Sequence, residues 1–289
     1  MNEFPRHWGP DDEIGALNRI GAEEVRRAAS LVGEGRVFSL SQTISPDMFV
    51  PAHRPGVMHF MNRDGGDYAA GRKARGGFQM AEDTVVMPLH LGTHLDALCH
   101  CWYDDTLYNG FSANEIRSDG ARRCSVDKMP PIVTRGVLLD AVRVTGAPLK
   151  DGFTMEPQLI RDCLSLAGTS LMPGDAVLIR TGWLENQKPG ESADFNTEPG
   201  LGIEAAAMLA DAGVAIVGAD NYAVEVLPFD QGKVFPVHQK LIRDCGIPLM
   251  EGLVLRHLGD AGATTFLFMA APLPVKGGTG SPLNPVAVL

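Results

Sequence analysis

Apolar residues along the chain cluster at two different periods. Short runs rich in β-branched residues occur at 84–90, 136–140, 176–181, 214–219 and 265–271, and each is bounded by turn-forming residues, the pattern of strands. Between and before them, 22–32, 156–167, 203–212 and 237–245 carry apolar side chains at helical spacing. Strands that alternate with helices predict an α/β fold with a mixed sheet or barrel-like core. Residues 48–75 break the pattern: they are rich in Pro, Gly, His and aromatics, and predict a long loop of the kind that forms lids. The C-terminal PLPVKGGTGSPLNPVAVL predicts a tail that runs over the surface or against a partner subunit. Its Gly277–Gly280 stretch lacks the Walker spacing and opens no helix, so a turn is expected there.

With 289 residues, 45% of them hydrophobic and 21% charged, the chain has material for a sizeable core. No repeat or low-complexity linker divides it, and residues 1–289 are expected to form a single domain with a helical arm over 1–35. A net charge of −10 without a compensating basic block repels phosphate backbones and anionic membranes, which disfavours both as partners. The N-terminus carries no signal-peptide pattern and no apolar run reaches the length of a membrane span, so a cytoplasmic protein is expected. Five cysteines, none in a CxxC pair, argue against a disulfide framework. Cys99 and Cys101 flank His100, but residues two apart on an extended chain share no ligand geometry with the residue between them, so both thiols are expected to pack as small apolar groups.

The densest chemistry lies in HLGTHLDALCH, which places His90, His94, Asp96 and His100 within eleven residues of a chain holding eight histidines. A lone histidine is most often a hydrogen-bonded core residue; three with a carboxylate at this density suggest a shared ion. A straight strand over 90–94 would part the first two histidines by about 13 Å, and a helix would turn Asp96 away from them. Gly92 offers a third geometry, a sharp turn that folds His94 and Asp96 back towards His90. Two imidazoles and a carboxylate suit Zn²⁺, Mn²⁺ or Fe²⁺ and leave positions open for water and substrate. His100 is then placed to move protons near neutral pH.

The same segment resembles the HxGTHxDxxxH signature of the metal-dependent cyclase family, which includes bacterial kynurenine formamidase and isatin hydrolase. Leu98 stands where the shorter members carry Pro. The stretches WGPDDEIGALN, DALCHCWYDDTLYNG and GGTGSPLNPVA resemble the longer branch, so the likeness spans nearly the whole chain. It implies a swivelling β/β/α-type fold, assembly as a homodimer or tetramer, and a bound Zn²⁺ or Mn²⁺, as one ion or two. His90, His94 and Asp96 would hold the first metal and His100 would be the catalytic acid/base. His238 and Glu251 match in order and spacing the later pair that shares the Asp with a second metal, although His238, on an expected helix, could equally be a core or capping residue. The implied activity is hydrolysis of an amide or cyclic amide, with a cyclase or dehydratase acting on a polyketide-like substrate, or a noncatalytic ligand-binding protein, as alternatives.

Further candidates surround this set. His53, His59 and Phe60 in the long loop and Trp102 and Tyr103 after the motif could close over a flat small-molecule substrate, or simply pack as loop residues. Asp220 ends a strand-like run, where α/β proteins place functional groups or caps. Gln239, next to His238, is a weaker candidate ligand.

Overall fold

Three strands of nearly unbroken apolar sequence occupy the middle of a nine-stranded mixed sheet. The computed structural model describes residues 7–51, 53–72, 75–187 and 195–289, so the first six residues of the expected N-terminal arm, and parts of the expected loop at 52 and 73–74, lie outside the described residues. Leaving aside two-residue ladders, the strands are β1 (Val37–Ser39), β2 (Met58–Arg63), β3 (Glu82–Val86), β4 (His94–Asp96), β5 (Ile132–Asp140), β6 (Ala176–Arg180), β7 (Ile216–Ala219), β8 (Leu249–Glu251), β9 (Thr265–Ala270), β10 (Gly280–Pro282) and β11 (Val286–Val288). The main sheet runs β1-β11-β9-β5-β6-β7-β8-β4-β10. β5, β6, β7 and β8 are mutually parallel, and the pairings flanking them are antiparallel. β6 and β7 are buried along their whole length, as expected where a parallel sheet is covered on both faces. β9 instead alternates between buried and half-buried residues, directing Phe266, Phe268 and Ala270 inward.

The longer helices are α1 (Ala22–Ala29), α2 (Pro157–Ala167) and α3 (Ile203–Asp211), followed by a short segment α4 (Pro236–His238) that continues as a π-helical turn over Gln239–Asp244. α2 begins with Pro at its first position and stops at Gly168 in a left-handed conformation, the terminal chemistry its sequence implies. α1 and α2 pack on β5, and α3 packs on the π turn. The N-terminal region is therefore bound to the sheet and does not project as an arm: Ala16 and Leu17 are buried, and Gly15 lies so close to Gly246 that a Cβ would meet its carbonyl oxygen at 2.1 Å. One hydrophobic cluster runs from Ala16 to Ala287. Among the described residues no helix is long and apolar enough to cross a membrane.

Three expectations are corrected. The strand expected over 84–90 ends at Val86, and residues 87–93 form an irregular turn leading into β4. The loop expected over 48–75 contains β2 and a short helix (Gly65–Ala69), and β2 forms a hairpin with β3 apart from the main sheet. The C-terminal segment is not a surface tail. It supplies β10 at one edge of the sheet and β11 between β1 and β9. Gly277 is in a left-handed turn, as expected of that stretch, with its N–H donating to Asp127.

Candidate metal centre

The site is assembled by strand register. In β4, His94 and Asp96 point to one face and Leu95, fully buried, to the other. Glu251 of β8 is paired directly with His94, and Gly280 of β10 directly with Asp96. The first pairing brings Glu251 Oε2 within 3.2 Å of His94 Nε2. The second leaves space beside Asp96 that the His90 ring fills, since a Cβ at Gly280 would lie 2.5 Å from His90 Cε1. Gly92, with φ of +60°, makes the turn that returns His90 to the strand. Thr93 fixes that turn from below: its hydroxyl donates to the Gly252 carbonyl at 2.7 Å and accepts from the Gln42 N–H at 2.8 Å.

The result is a buried knot of three imidazoles and two carboxylates. His90 Nδ1 lies 2.6 Å from Asp96 Oδ1, and His94 Nε2 lies 3.6 Å from the same oxygen. From α4, His238 Nε2 comes within 3.3 Å of Glu251 Oε1 and 3.8 Å of Asp96 Oδ2. One potential ligand atom from each of His90, His94 and Asp96 lies within 4.8 Å of the others, and the same holds for Asp96, His100 and His238. The His100 ring stacks on His90 with centroids 4.1 Å apart.

Each ring is oriented from outside the knot. His90 Nε2 meets the Thr279 hydroxyl at 2.9 Å, His94 Nδ1 meets the Gly92 carbonyl at 2.9 Å, and His238 Nδ1 meets Glu225 Oε1 at 2.6 Å. Glu225 also accepts the backbone N–H groups of Val237 and His238. A partner on one nitrogen sets the tautomer and points the other into the site, the usual arrangement around a metal. Two buried atoms in the knot, His94 Nε2 and Asp96 Oδ2, have no hydrogen-bond partner. Leaving such atoms unsatisfied is costly, and a cation among nitrogen and oxygen donors would satisfy both. The residues present thus fit a divalent ion of the borderline kind.

The electrostatics agree with that fit. Burial alone would raise the Asp96 carboxyl, but the histidines around it hold it well below the usual range, with His100 and His90 foremost. Burial likewise opposes a charge on His94 and on His238, yet Glu251 at the first, and Glu225 with Glu251 at the second, raise both. His100 goes the other way: burial pushes it down to about 4, with His90 adding to the shift and Asp96 opposing it.

His100, His238 and Glu251 form part of the wall of a cavity of about 420 Å³, together with His53, Arg54, Trp102, Tyr222 and Phe235. A second cavity of about 460 Å³, lined by Met48, Phe49 and Leu253 among others, includes none of the histidines of the knot. Of the residues expected to shape a substrate pocket, the structure brings His53 and Trp102 to the cavity and not the others. His59 pairs with Asp83 at 2.7 Å on the outer hairpin, beside exposed Phe60. Tyr103 donates to Asp244 at 2.7 Å, under the Arg243 guanidinium. Gln239 donates to the Val234 carbonyl, away from the knot. Asp220 accepts from the Thr181 hydroxyl and the N–H groups of Thr181 and Gly182, tying the end of β7 to that of β6; burial nevertheless pushes its carboxyl up to about 6. Cys99 is buried and Cys101 packs half-buried against the core, both as expected, and Cys101 is also part of the cavity wall. Arg54, Tyr222 and Glu225 carry no motif, and only their place in the fold reveals them; Thr279 lies in the GGTGSPLNPVA stretch, but its place beside His90 is a fact of the fold.

The fold and this site together define a mixed α/β protein built around a candidate metal centre. The chain belongs to the cyclase family, whose model, described as "Putative cyclase", matches residues 38–226. Among solved structures, one described as a novel cyclase is 34% identical with a TM-score of 0.91, covering 98% of this chain and 96% of that one. Isatin hydrolase A from Ralstonia solanacearum is 21% identical with a TM-score of 0.65, covering 93% and 97%. A predicted metal-dependent hydrolase from Bacillus stearothermophilus is 20% identical with a TM-score of 0.58, covering 88% and 98%. The comparison with curated proteins returned no match.

Proposed function

We propose that the protein is a metal-dependent hydrolase that opens an amide or cyclic amide, such as a formamide, an isatin-like ring or another lactam. The observation that carries this reading is the convergence of His90, His94, Asp96, His238 and Glu251 on two orphaned buried atoms, with His100 beside them at the wall of an aromatic-lined cavity. His90, His94 and Asp96 would hold the first ion, Zn²⁺ or Mn²⁺; Asp96, His238 and Glu251 offer a place for a second. A divalent ion there supplies a Lewis acid for the carbonyl oxygen and lowers the pKa of water. The chain's own residues then handle position and protons. Trp102 and Phe235 give the cavity flat apolar surface against which an aryl or lactam ring can stack. His100, kept neutral by its burial, takes a proton from the attacking water at its free nitrogen and returns it to the departing amide nitrogen.

The knot also supports the cofactor reading on its own terms, since buried carboxylates facing one another across imidazoles repel once the ion is withdrawn. Chelation is expected to lower Tm and abolish turnover, and stoichiometric Zn²⁺ or Mn²⁺ to restore both. The defining experiment is a screen of formamides, isatin and simple lactams with each metal, run in ¹⁸O-labelled water. Label in a carboxylate product identifies hydrolysis; turnover without label identifies the cyclase or dehydratase alternative. Failure of the metal-loaded protein to turn over any of them favours a ligand-binding role. Five free thiols support a reducing compartment, and we place the protein in the cytoplasm on that ground.

A further inference from the structure

A third buried atom near the knot has no partner: the phenolic oxygen of Tyr222. A cation satisfies the lone pairs on His94 and Asp96 but offers nothing to a phenol proton. Tyr222 nonetheless belongs to the cavity wall with His100, His238 and Glu251, and the carboxylates of Glu251 and Asp96 both act on its ionisation. Its hydroxyl therefore sits in the field of the same centre.

The residue is also held with unusual care for one whose hydroxyl does nothing within the chain. Its backbone N–H and that of Ala223 donate to the two oxygens of buried Glu198, at 3.0 and 2.7 Å. Asn221 is fixed by donating to the Pro199 carbonyl at 2.6 Å and accepting the Val224 N–H at 3.0 Å. The ring lies edge-on to Phe195, centroids 4.8 Å apart, and faces the Arg54 guanidinium at 5.2 Å. Arg54 in turn donates to the His90 carbonyl, linking the Tyr222 ring to the metal-binding turn. A buried hydroxyl left unsatisfied costs about 1–3 kcal/mol. A rigid, desolvated donor at a reaction centre recovers that cost when a ligand brings an acceptor, and it gains most where negative charge builds up on that acceptor.

We propose that Tyr222 is a catalytic residue whose hydroxyl donates a hydrogen bond to the oxygen of the substrate's reacting carbonyl, so that the site selects planar, carbonyl-bearing rings. This rests on the hydrolase reading above. Burial raises the phenol above its ordinary pKa, with Glu251 and Asp96 adding to the shift and Arg54 opposing it, which keeps the proton on the oxygen and makes it a donor, not a base. No covalent bond to Tyr222 is involved. The proton stays on the phenol, and the hydrogen bond strengthens as the carbonyl oxygen becomes an oxyanion.

Tyr222→Phe in the metal-loaded full chain tests this. The expected result is a kcat lower by about 10²–10³, KM raised by no more than about tenfold as the ground-state hydrogen bond is lost, unchanged metal content, and a Tm equal to or above that of the parent because an orphaned hydroxyl has been removed. Unchanged kcat, or a lower Tm with full kcat per folded molecule, would overturn the assignment and leave the hydrolase reading standing. A binding arm separates the two ideas. Isatin is titrated into His100→Ala and into His100→Ala/Tyr222→Phe, both metal-loaded, with the second expected to bind about tenfold more weakly, a loss of roughly 1.4 kcal/mol. If the parent hydrolyses no amide but this difference is seen, the hydrolase reading fails and the Tyr222 donor stands. Equal affinities, or no binding by either protein, overturn the donor.

Discussion

At His100, burial against a stacked imidazole does what an exposed histidine could not. The ring is neutral down to about pH 4, so a base with an ordinary pKa of 6.5 is available in full throughout the neutral range. Protonation removes the base, so with metal in excess kcat/KM should be flat through pH 6.5 and fall about tenfold per pH unit only below about 4. An acid limb centred near 6.5 would assign the limb to another group. His100→Gln, which keeps the volume and loses the base, should reduce kcat by about 10²–10⁴, with metal content measured by atomic absorption unchanged. Glu225 acts one step further out. Three donors converge on its carboxylate, and the shortest contact, 2.6 Å to His238 Nδ1, leaves Nε2 facing Asp96 and Glu251. Glu225→Gln keeps the shape but weakens the charge-assisted contact. It should lower metal affinity by about 10–100-fold in chelator competition, and shift the ¹⁵N resonances that report the His238 tautomer.

Elements, more than single residues, decided what the sequence disclosed. The long apolar strands β5, β6, β7 and β9 and the helices α1 to α3 have enough residues to show their period, and each lies within a few residues of its expected place. β8, β10 and β11 have three residues each, too few to show alternation, and the last two sit among the Gly and Pro that otherwise mark a loose tail. Their pairing is a tertiary fact: β10 exists because β4 presents an edge, and β11 because β1 and β9 leave a gap. The same division applies to the site. His90, His94, Asp96 and His100 were legible because one turn and one short strand collect them, whereas Arg54, Tyr222 and Glu225 reach it from separate loops and differ in no local way from other loop residues. Gly136 shows the price of element packing. It stands opposite Phe266 in the β5–β9 ladder, and a Cβ there would meet the ring at 2.1 Å. Both residues are deep in the core and the strand cannot withdraw. Gly136→Ala should therefore destabilise by about 1–3 kcal/mol, read as a fall in Tm of roughly 2–10 °C, with Val in its place worse still.

For the whole molecule, the hairpin of β2 and β3 is the longest ladder among the described residues that stands apart from the main sheet. A two-stranded hairpin is marginal in water by itself, and this one is not packed into the nine-stranded sheet. Its residues point both ways: Met58 and Phe60 alternate with His59 and Met61 along β2, and Val86 and Val85 stand opposite on β3. Met58, Phe60, Met61, Val85 and Val86 are exposed, as are Phe78 and Met80 in the segment leading to β3. Exposed apolar side chains gathered in one element are of the kind that marks an interaction surface. Among the described residues neither outer edge of the hairpin pairs with another strand, and such edges can pair across a two-fold axis. The net charge of −10 works against loose association of like molecules, so any contact between copies should be confined to a place where apolar area outweighs it. We propose that copies of the chain join through the hairpin as a homodimer, alone or within a tetramer. Phe60→Asp with Met58→Asp should shift the mass measured by light scattering towards the monomer, while metal content per chain is retained. If the parent is monomeric at micromolar concentration, or the double variant keeps the parent's mass, the hairpin is not the interface.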